Sequence, residues 1–169
     1  MNFLQLCADR YSARSFADAP IPDEVLNQIL EAGRLAPTAM NLQPQRIFVI
    51  RSEKALATMR NVKKCYGAGT VLMFCGDTEA ACNRPKGDHC MAEMDCAIVT
   101  TQMMLAAHSL GIGSCWICAF DVPAMAKAFD LPENLTPFVL LALGYPSDTC
   151  APGPRHFERL PLEETVKFL

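Results

Sequence analysis

The sequence lacks an excess of basic charge and any long apolar run. Its 15 Lys and Arg stand against 18 Asp and Glu, a formal net charge of -3. This balance gives no global positive field for nucleic acid or an anionic membrane surface, so neither partner is expected. No stretch reaches the roughly 18 apolar residues of a membrane span. The opening MNFLQLCADRYSARSF lacks the pattern of a signal peptide, which favours a cytoplasmic location.

Several motifs of nucleotide, metal and disulfide sites are missing as well. There is no GxGxxG or GxxxxGK[ST] segment, which argues against a Rossmann or P-loop enzyme. The nine cysteines are odd in number and lie in apolar context, which predicts reduced core thiols rather than a disulfide framework. Cys82, His89, Cys90 and Cys96 lack the paired CxxC spacing of a zinc site, so no metal is predicted.

What remains is an alternation of helical and extended segments. The length and the 51% of hydrophobic residues suit one ordinary globular domain, residues 1–169. Strands are predicted at 46–51, 71–75, 115–120 and 138–145. Helices are predicted at 2–9, from an Asp23 cap to a stop within 33–37, and at 53–64, 91–110, 122–129 and 162–169. The order indicates an α+β or mixed α/β domain with a central sheet of about four strands flanked by helices.

Two segments of the chain give further indications, one of a loop and one of a subunit interface. The stretch 76–90 is polar and contains Pro85 and Gly87, which predicts a loop or lid. The helix at 91–110 has apolar and small residues around most of its circumference, more than one sheet could cover. Burial on two sides would follow if this helix also formed a subunit interface, so a homodimer is expected. His108 on this helix is predicted to be an interior residue rather than a metal ligand.

Two polar motifs are candidates for ligand binding. Arg10-Tyr-Ser-Ala-Arg14 places two guanidinium groups and a hydroxyl at a helix end, within one turn if helical, and such groups suit a phosphate monoester. A solvated surface patch is the alternative reading. The run 36–44, APTAMNLQP, has amide groups that could read a heteroaromatic edge, or it is a plain connecting turn.

Together, in this order, the two motifs resemble the nitroreductase family, whose members carry R-x-S-x-R followed by P-S-x-x-N-x-Q-P. The resemblance continues at 110–121, LGIGSCWICAFD, at 143–146, LGYP, and at 159–164, RLPLEE. It implies a nitroreductase-like α+β fold with a mostly antiparallel sheet of four to five strands. It also implies a homodimer that binds FMN and uses NADH or NADPH as the electron donor.

The resemblance implies a role for each matching position. Arg10, Ser12 and Arg159 would hold the FMN phosphate, with Tyr11 beside them. Arg14, Asn61 and Lys64 would approach the pyrimidine edge of the isoalloxazine. The residues that would reach the flavin of the other subunit are Pro37, Thr38, Ala39, Asn41 and Gln43. The reactive face of the ring would lie beside Trp116, Ile117 and Cys118.

The expected reaction is hydride transfer from NAD(P)H through FMN to a nitroaromatic, quinone or similar electrophile, with ping-pong kinetics. The chemistry belongs to the flavin, so no catalytic side chain is assigned. Cys118 stands where one branch of the family has Glu, and the lid is short. An FMN-binding protein with little turnover is therefore a second hypothesis. A thiol-disulfide protein that uses Cys115 and Cys118 is a third.

Overall fold

The computed structural model describes residues 2–85 and 89–169, which form four β-strands and six α-helices. The strands are β1 (Gln45–Ile50), β2 (Thr70–Asp77), β3 (Gly113–Ile117) and β4 (Leu135–Gly144). The helices are α1 (Phe3–Asp9), α2 (Asp23–Arg34), α3 (Glu53–Val62), α4 (Ala92–Ser109), α5 (Val122–Ala128) and α6 (Leu162–Thr165). The predicted α+β class is confirmed.

The strands form one antiparallel sheet in the order β1-β2-β4-β3. The two long strands β2 and β4 are central and β1 and β3 are the outer strands, because each outer strand pairs with only one other of the four strands. Gln45 of β1 is level with Gly76 of β2, which is level with Thr136 of β4. At the other edge, Ser114 of β3 is level with Leu143 of β4. This register separates the start of β1 from the start of β3 by the diagonal of the sheet.

Each face of the sheet is covered by a pair of helices. Successive side chains of a strand point to opposite faces, so Leu72 and Phe74 of β2 enter one core and Met73 enters the other. The first core is completed by α2 and α4, and the second by α3 and α5. The continuous apolar run of β2 therefore reflects burial on both faces.

Helix α4 packs closely against α2. A Cβ atom on Gly33 would lie 2.7 Å from Cγ of Met103, a distance that a real side chain does not tolerate, so glycine allows this crossing. Seven residues of α4 are buried, yet Met94 and Ile98 on its outer side remain 38% and 37% exposed. The chain thus covers one side of this apolar helix and leaves the other open.

Three predicted helix boundaries are wrong. Pro22 rather than Asp23 flanks α2, and Asp23 is the first helical residue, where its carboxylate contacts Arg51. Helix α3 ends at Val62 because the backbone of Lys63 is extended, with φ -148 and ψ 123. Helix α6 ends four residues earlier than predicted, and all four of its residues are exposed.

The segment predicted as a loop or lid begins inside β2, which continues through Asp77. A turn follows, and Asn83 pairs with Cys90 in an isolated bridge. Gly87, one of the residues behind the loop prediction, lies outside the described residues. The strand predicted at 115–120 ends at Ile117. In the described part of the chain, no helix combines the length and the apolar character needed to cross a bilayer.

Candidate functional site

The Arg10–Arg14 segment is extended and lies beside β3, so its alternative as a helical turn is wrong. Helix α1 ends at Asp9, and Arg10 has extended dihedral angles, φ -62 and ψ 125. Ser12 forms a parallel bridge with Ser114, and the Ala13 amide donates to the Ser114 carbonyl at 2.9 Å. Because side chains alternate along extended backbone, every second residue of the segment faces the same side. The spacing of Arg10, Ser12 and Arg14 follows from that period.

Gly113 allows the segment to approach β3. A Cβ atom on Gly113 would lie 3.0 Å from the Cβ of Ala13 and 2.8 Å from Cγ of Pro146. Ala13 is fully buried, and its small side chain faces the sheet edge while its two polar neighbours face out. The segment is therefore held by main-chain hydrogen bonds and close packing, independently of any ligand.

Arg10, Ser12 and Arg14 open onto a cleft of about 580 Å³. Its other wall is the segment that contains Gly153, Pro154, Arg155, His156, Glu158 and Arg159. Four guanidinium groups and a single carboxylate line the cleft, a formal charge of +3 in a chain of net charge -3. Within residues 2–85 and 89–169, none of these four arginines has a carboxylate within 4.0 Å. The cleft is a local concentration of positive charge in an acidic protein.

Tyr11 faces away from the cleft and joins its two walls. Its hydroxyl donates to the Cys150 carbonyl at 3.4 Å, and its ring meets the His156 ring edge-on at a centroid distance of 6.4 Å. Burial raises the pKa of Tyr11, which keeps the hydroxyl protonated as a donor. The contact holds the 150–159 segment against the Arg10–Arg14 segment. Arg159 is thereby brought to the cleft from the far end of the chain.

Sequence reasoning assigned no role to Arg155, His156 or Glu158 in this cleft. Pro154–His156 form a 3-10 turn that directs these side chains to the same opening as Arg159. The signal was present in the sequence, since PRHFER at 154–159 concentrates three basic side chains in six residues. Without the packing of Tyr11, however, nothing in the sequence connects that run to Arg10.

Arg14 joins this cleft to a second pocket. Its guanidinium carbon lies 6.0 Å from the ring centroid of Tyr66, within the range of a cation–π contact. Tyr66 lines a pocket of about 460 Å³ with the residues at the end of α3, including Asn61, Lys63 and Lys64. Since α3 ends at Val62, Asn61 belongs to its last turn and Lys64 to the following connection. Arg14 thus contacts the ring of Tyr66, and Asn61 and Lys64 line the pocket that this ring borders.

The 37–43 segment forms a compact turn stabilised by local hydrogen bonds. The Gln43 amide donates to Oγ1 of Thr38 at 3.0 Å, and Nε2 of Gln43 donates to the Asn41 carbonyl at 3.1 Å. The Ala39 amide donates to Oδ1 of Asp95 in α4 at 2.9 Å. Pro37, Asn41 and Gln43 are exposed, while Thr38 and Ala39 are half-buried. The turn presents two side-chain amides to its surroundings.

This turn lies far from the arginine cleft of the same chain. Three strand spacings separate β1 from β3, about 14 Å, and the register from Thr136 to Leu143 adds about 24 Å along the strands. The diagonal between Gln45 and Ser114 is therefore about 28 Å on these spacings. No residue of the 37–43 segment lines the cleft. One small ligand cannot contact both motifs within a single chain.

The end of β3 presents a side-chain donor and a thiol. Nε1 of Trp116 donates to Sγ of Cys118 at 2.9 Å, and Cys118 is exposed just beyond the strand. Ile117 is buried in the second core, so it can offer only backbone to a ligand. Cys115 lies in that same core and burial raises the pKa of its thiol, although Arg14 and Tyr66 act in the opposite direction. Cys115 is therefore buried in the second core, whereas Cys118 is exposed.

Comparison with known proteins identifies the family of this chain. The profile described as "Nitroreductase family" matches residues 7–67 and 59–145. The chain belongs to the nitroreductase family. A crystal structure of a nitroreductase family protein from Clostridium difficile 630 has a TM-score of 0.94 at 36% identity and covers 99% of this chain and 98% of that one.

Curated relatives support the same family. A "Putative NADH dehydrogenase/NAD(P)H nitroreductase" of Archaeoglobus fulgidus is 32% identical over 153 residues, 86% of either chain. An "FMN reductase (NAD(P)H)" of Bacillus subtilis is 26% identical and covers 87% of this chain and 67% of that protein. This nitroreductase family member therefore has relatives that match most of its length.

Proposed function

We propose that this chain is a single FMN-binding domain and works as an NAD(P)H-dependent flavin oxidoreductase. The observation that carries the proposal is the cleft of four guanidinium groups, which the fold builds from both ends of the chain and which have no carboxylate partner among the residues that the structure describes. The names of the Archaeoglobus and Bacillus relatives, which include NAD(P)H and, for the second, FMN, support the same activity.

The residues of the cleft fit a phosphate monoester. Such a group carries a charge of about -1.5 to -2 near pH 7 and offers three acceptor oxygens. Arg10 and Arg159 supply charge-assisted hydrogen bonds, Ser12 supplies a hydroxyl, and Arg155 adds a further guanidinium. A terminal phosphate of this kind belongs to FMN, whereas the two phosphates of FAD form a diphosphate bridge without a terminal monoester. FMN is therefore the expected flavin.

The second pocket fits the polar edge of the flavin ring. Lys64 holds positive charge there, Arg14 lies against the Tyr66 ring at its border, and Asn61 provides an amide that can both donate and accept hydrogen bonds. Fixed positive charge at this edge favours electron acceptance by the ring. When bound, FMN supplies the hydride chemistry between NAD(P)H and an electrophile, so no protein nucleophile is required.

The remaining assigned residues fit a site shared by two subunits. Pro37, Thr38, Ala39, Asn41 and Gln43 lie in the turn before Gln45, which is about 28 Å across the sheet from Ser114, the bridge partner of Ser12. A second copy can bring this turn to the flavin. The exposed apolar side of α4, with Met94 and Ile98, is a surface suited to that contact.

Trp116 and Cys118 lie at the end of β3 near the proposed reactive face, where Ile117 contributes backbone. The expected acceptor is a nitroaromatic, a quinone or a similar planar electrophile. Because NAD(P)H and the acceptor would use the same face in turn, the kinetics should be ping-pong, with parallel double-reciprocal plots.

The test begins with a visible spectrum of the freshly purified protein and mass analysis of the released flavin. Released FMN supports the proposal, while FAD, or a protein that stays colourless after reconstitution with FMN, contradicts it. Anaerobic titration with NADH and with NADPH follows. Rapid bleaching supports the reductase activity. A yellow protein that neither coenzyme bleaches would instead be an FMN-binding protein with little turnover.

A further inference from the structure

The 37–43 turn contains an unusual concentration of left-handed backbone. Met40, Asn41 and Gln43 have φ angles of 51, 55 and 51, although none of them is glycine. L-residues adopt this region at an energetic cost, so such conformations persist only where the surrounding structure holds them. The side chains that hold this turn in place therefore also support its function.

Two hydrogen bonds from outside the turn fix its ends. At its start, the Ala39 amide donates to Oδ1 of Asp95 at 2.9 Å. At its end, Nη1 of Arg46 donates to the Gln43 carbonyl at 3.0 Å, and Nη2 of the same arginine contacts Asp77. Arg46 is itself exposed and belongs to the adjoining strand. Asp95 belongs to a different element, 56 residues away in the chain.

Asp95 is an unusual residue for its position. Its neighbours in α4, Ala92, Cys96 and Val99, are buried apolar residues of the helix, and Asp95 is itself only 1% exposed. Its second oxygen, Oδ2, has no hydrogen-bond partner among the residues that the structure describes. Burying a carboxylate with one oxygen unpaired is costly, so packing alone does not account for an aspartate here.

We propose that Asp95 is a positioning residue for the flavin site. Its carboxylate holds the Ala39 amide so that the turn keeps the shape in which Asn41 and Gln43 present their side-chain amides to the flavin. The inference rests on the proposed function, since it assigns Asp95 a part in that site. It adds a residue of α4, the helix with the exposed apolar side, to the control of cofactor binding.

Three variants test this assignment. Asp95→Ala removes the acceptor, Asp95→Asn keeps an Oδ1 acceptor in the same place, and Thr100→Ala is the matched control. Thr100 is also fully buried in α4, but its hydroxyl bonds only to the Cys96 carbonyl of the same helix. FMN affinity is measured by quenching of flavin fluorescence, together with thermal stability and the visible spectrum of the bound flavin.

We expect Asp95→Ala to bind FMN at least about tenfold more weakly, the effect of losing one hydrogen bond. Asp95→Asn should remain within about threefold of the original protein because the acceptor is retained. Thr100→Ala should lose stability without loss of affinity. If Asp95→Ala binds FMN as tightly as the original protein, or if Thr100→Ala weakens binding equally, the positioning role is wrong.

Hydrogen–deuterium exchange provides a readout that does not depend on activity. The amides of 37–43 should exchange faster in Asp95→Ala than in Asp95→Asn, both measured in the protein as purified. Equal exchange in the two variants would overturn the inference. Failure of the original protein to bind FMN would overturn the proposed function instead, so the two outcomes are distinguishable.

Discussion

Eight of the nine arginines fall into two groups according to their partners. Arg34, Arg46, Arg51 and Arg60 each contact a carboxylate. The four arginines of the cleft contact none in the described chain, and two of them come from the last fifteen residues. Like charges gathered without counter-charges are unfavourable unless an anion joins them. The cleft is therefore suited to an anionic ligand rather than to stabilising the fold.

Replacing Arg10 by alanine should weaken FMN binding by about 1.5 to 3 kcal/mol, the scale of a hydrogen bond to a charged group. Titration of the protein with FMN at low and moderate salt measures the change. The control is Arg34→Ala, which removes the same charge from an exposed site on α2 where the partner is Glu31. An affinity that is unchanged at both salt concentrations would remove Arg10 from the phosphate site.

Cys115 and Cys118 have the spacing of a redox pair but not its environment. Burial raises the pKa of Cys115, which disfavours the reactive thiolate, and its side chain lies in the second core. We expect the double variant Cys115→Ser, Cys118→Ser to keep FMN and to be reduced by NAD(P)H within about tenfold of the original rate. Stopped-flow measurement under argon tests this. A folded, yellow double variant without any turnover would restore the thiol-disulfide hypothesis.

At the level of elements, His108 of α4 and the charged residues at the end of α1 make the stability of the fold depend on pH. Burial lowers the pKa of His108 below its ordinary 6.5, and the charge of Arg10 acts in the same direction against the opposing effect of Asp9. The unfolded chain then binds a proton near pH 6.5 while the folded chain binds it only at lower pH. The free energy of unfolding is therefore unaffected by His108 above about pH 6.5, the pKa of the unfolded chain. It decreases as the pH falls from there toward the lower pKa of the folded chain.

Thermal melts between about pH 5 and 7.5 should therefore show a decline toward acid that His108→Gln reduces. His89→Gln is the control, because His89 is exposed and its replacement should leave the decline unchanged. The lowered pKa of Asp77, caused chiefly by the hydrogen bond from Asn134, acts at lower pH and does not enter this range. Identical slopes for the original protein and His108→Gln would contradict the assignment.

For the whole molecule, the main feature is that the 37–43 turn and the arginine cleft, both of which we propose to bind the flavin, lie at opposite corners of one sheet. If the site is shared by two subunits, disrupting the dimer should also release the cofactor. Ile98→Asp places a charge on the open apolar side of α4, where we expect it to give a monomer with little bound FMN. Light scattering together with the ratio of flavin to protein absorbance measures both effects.

Val49→Asp is the matched control for that variant. Val49 is 38% exposed and Ile98 is 37% exposed, but Val49 lies on the edge strand β1 rather than on α4. The control should remain a yellow dimer. A flavin-saturated, active monomer of Ile98→Asp would contradict the shared site while leaving the assignment of the arginine cleft intact.

The sequence by itself determined the features that depend on neighbouring residues. Periodicity of apolar side chains predicted the four strands and the long helix α4, because burial on one or two faces repeats within a few residues. The sequence also grouped Arg10, Ser12 and Arg14 as one candidate phosphate motif, although it suggested a helical turn where the backbone is extended.

Only the tertiary structure decided the features that join distant parts of the chain. Tyr11 meets Cys150 across 139 residues and so brings Arg155 and Arg159 to Arg10. Asp95 meets Ala39 across 56 residues. The order of strands separates the turn at 37–43 from the cleft. Side-chain packing over such distances has no local period, and for that reason the sequence pattern contains no direct signal of it.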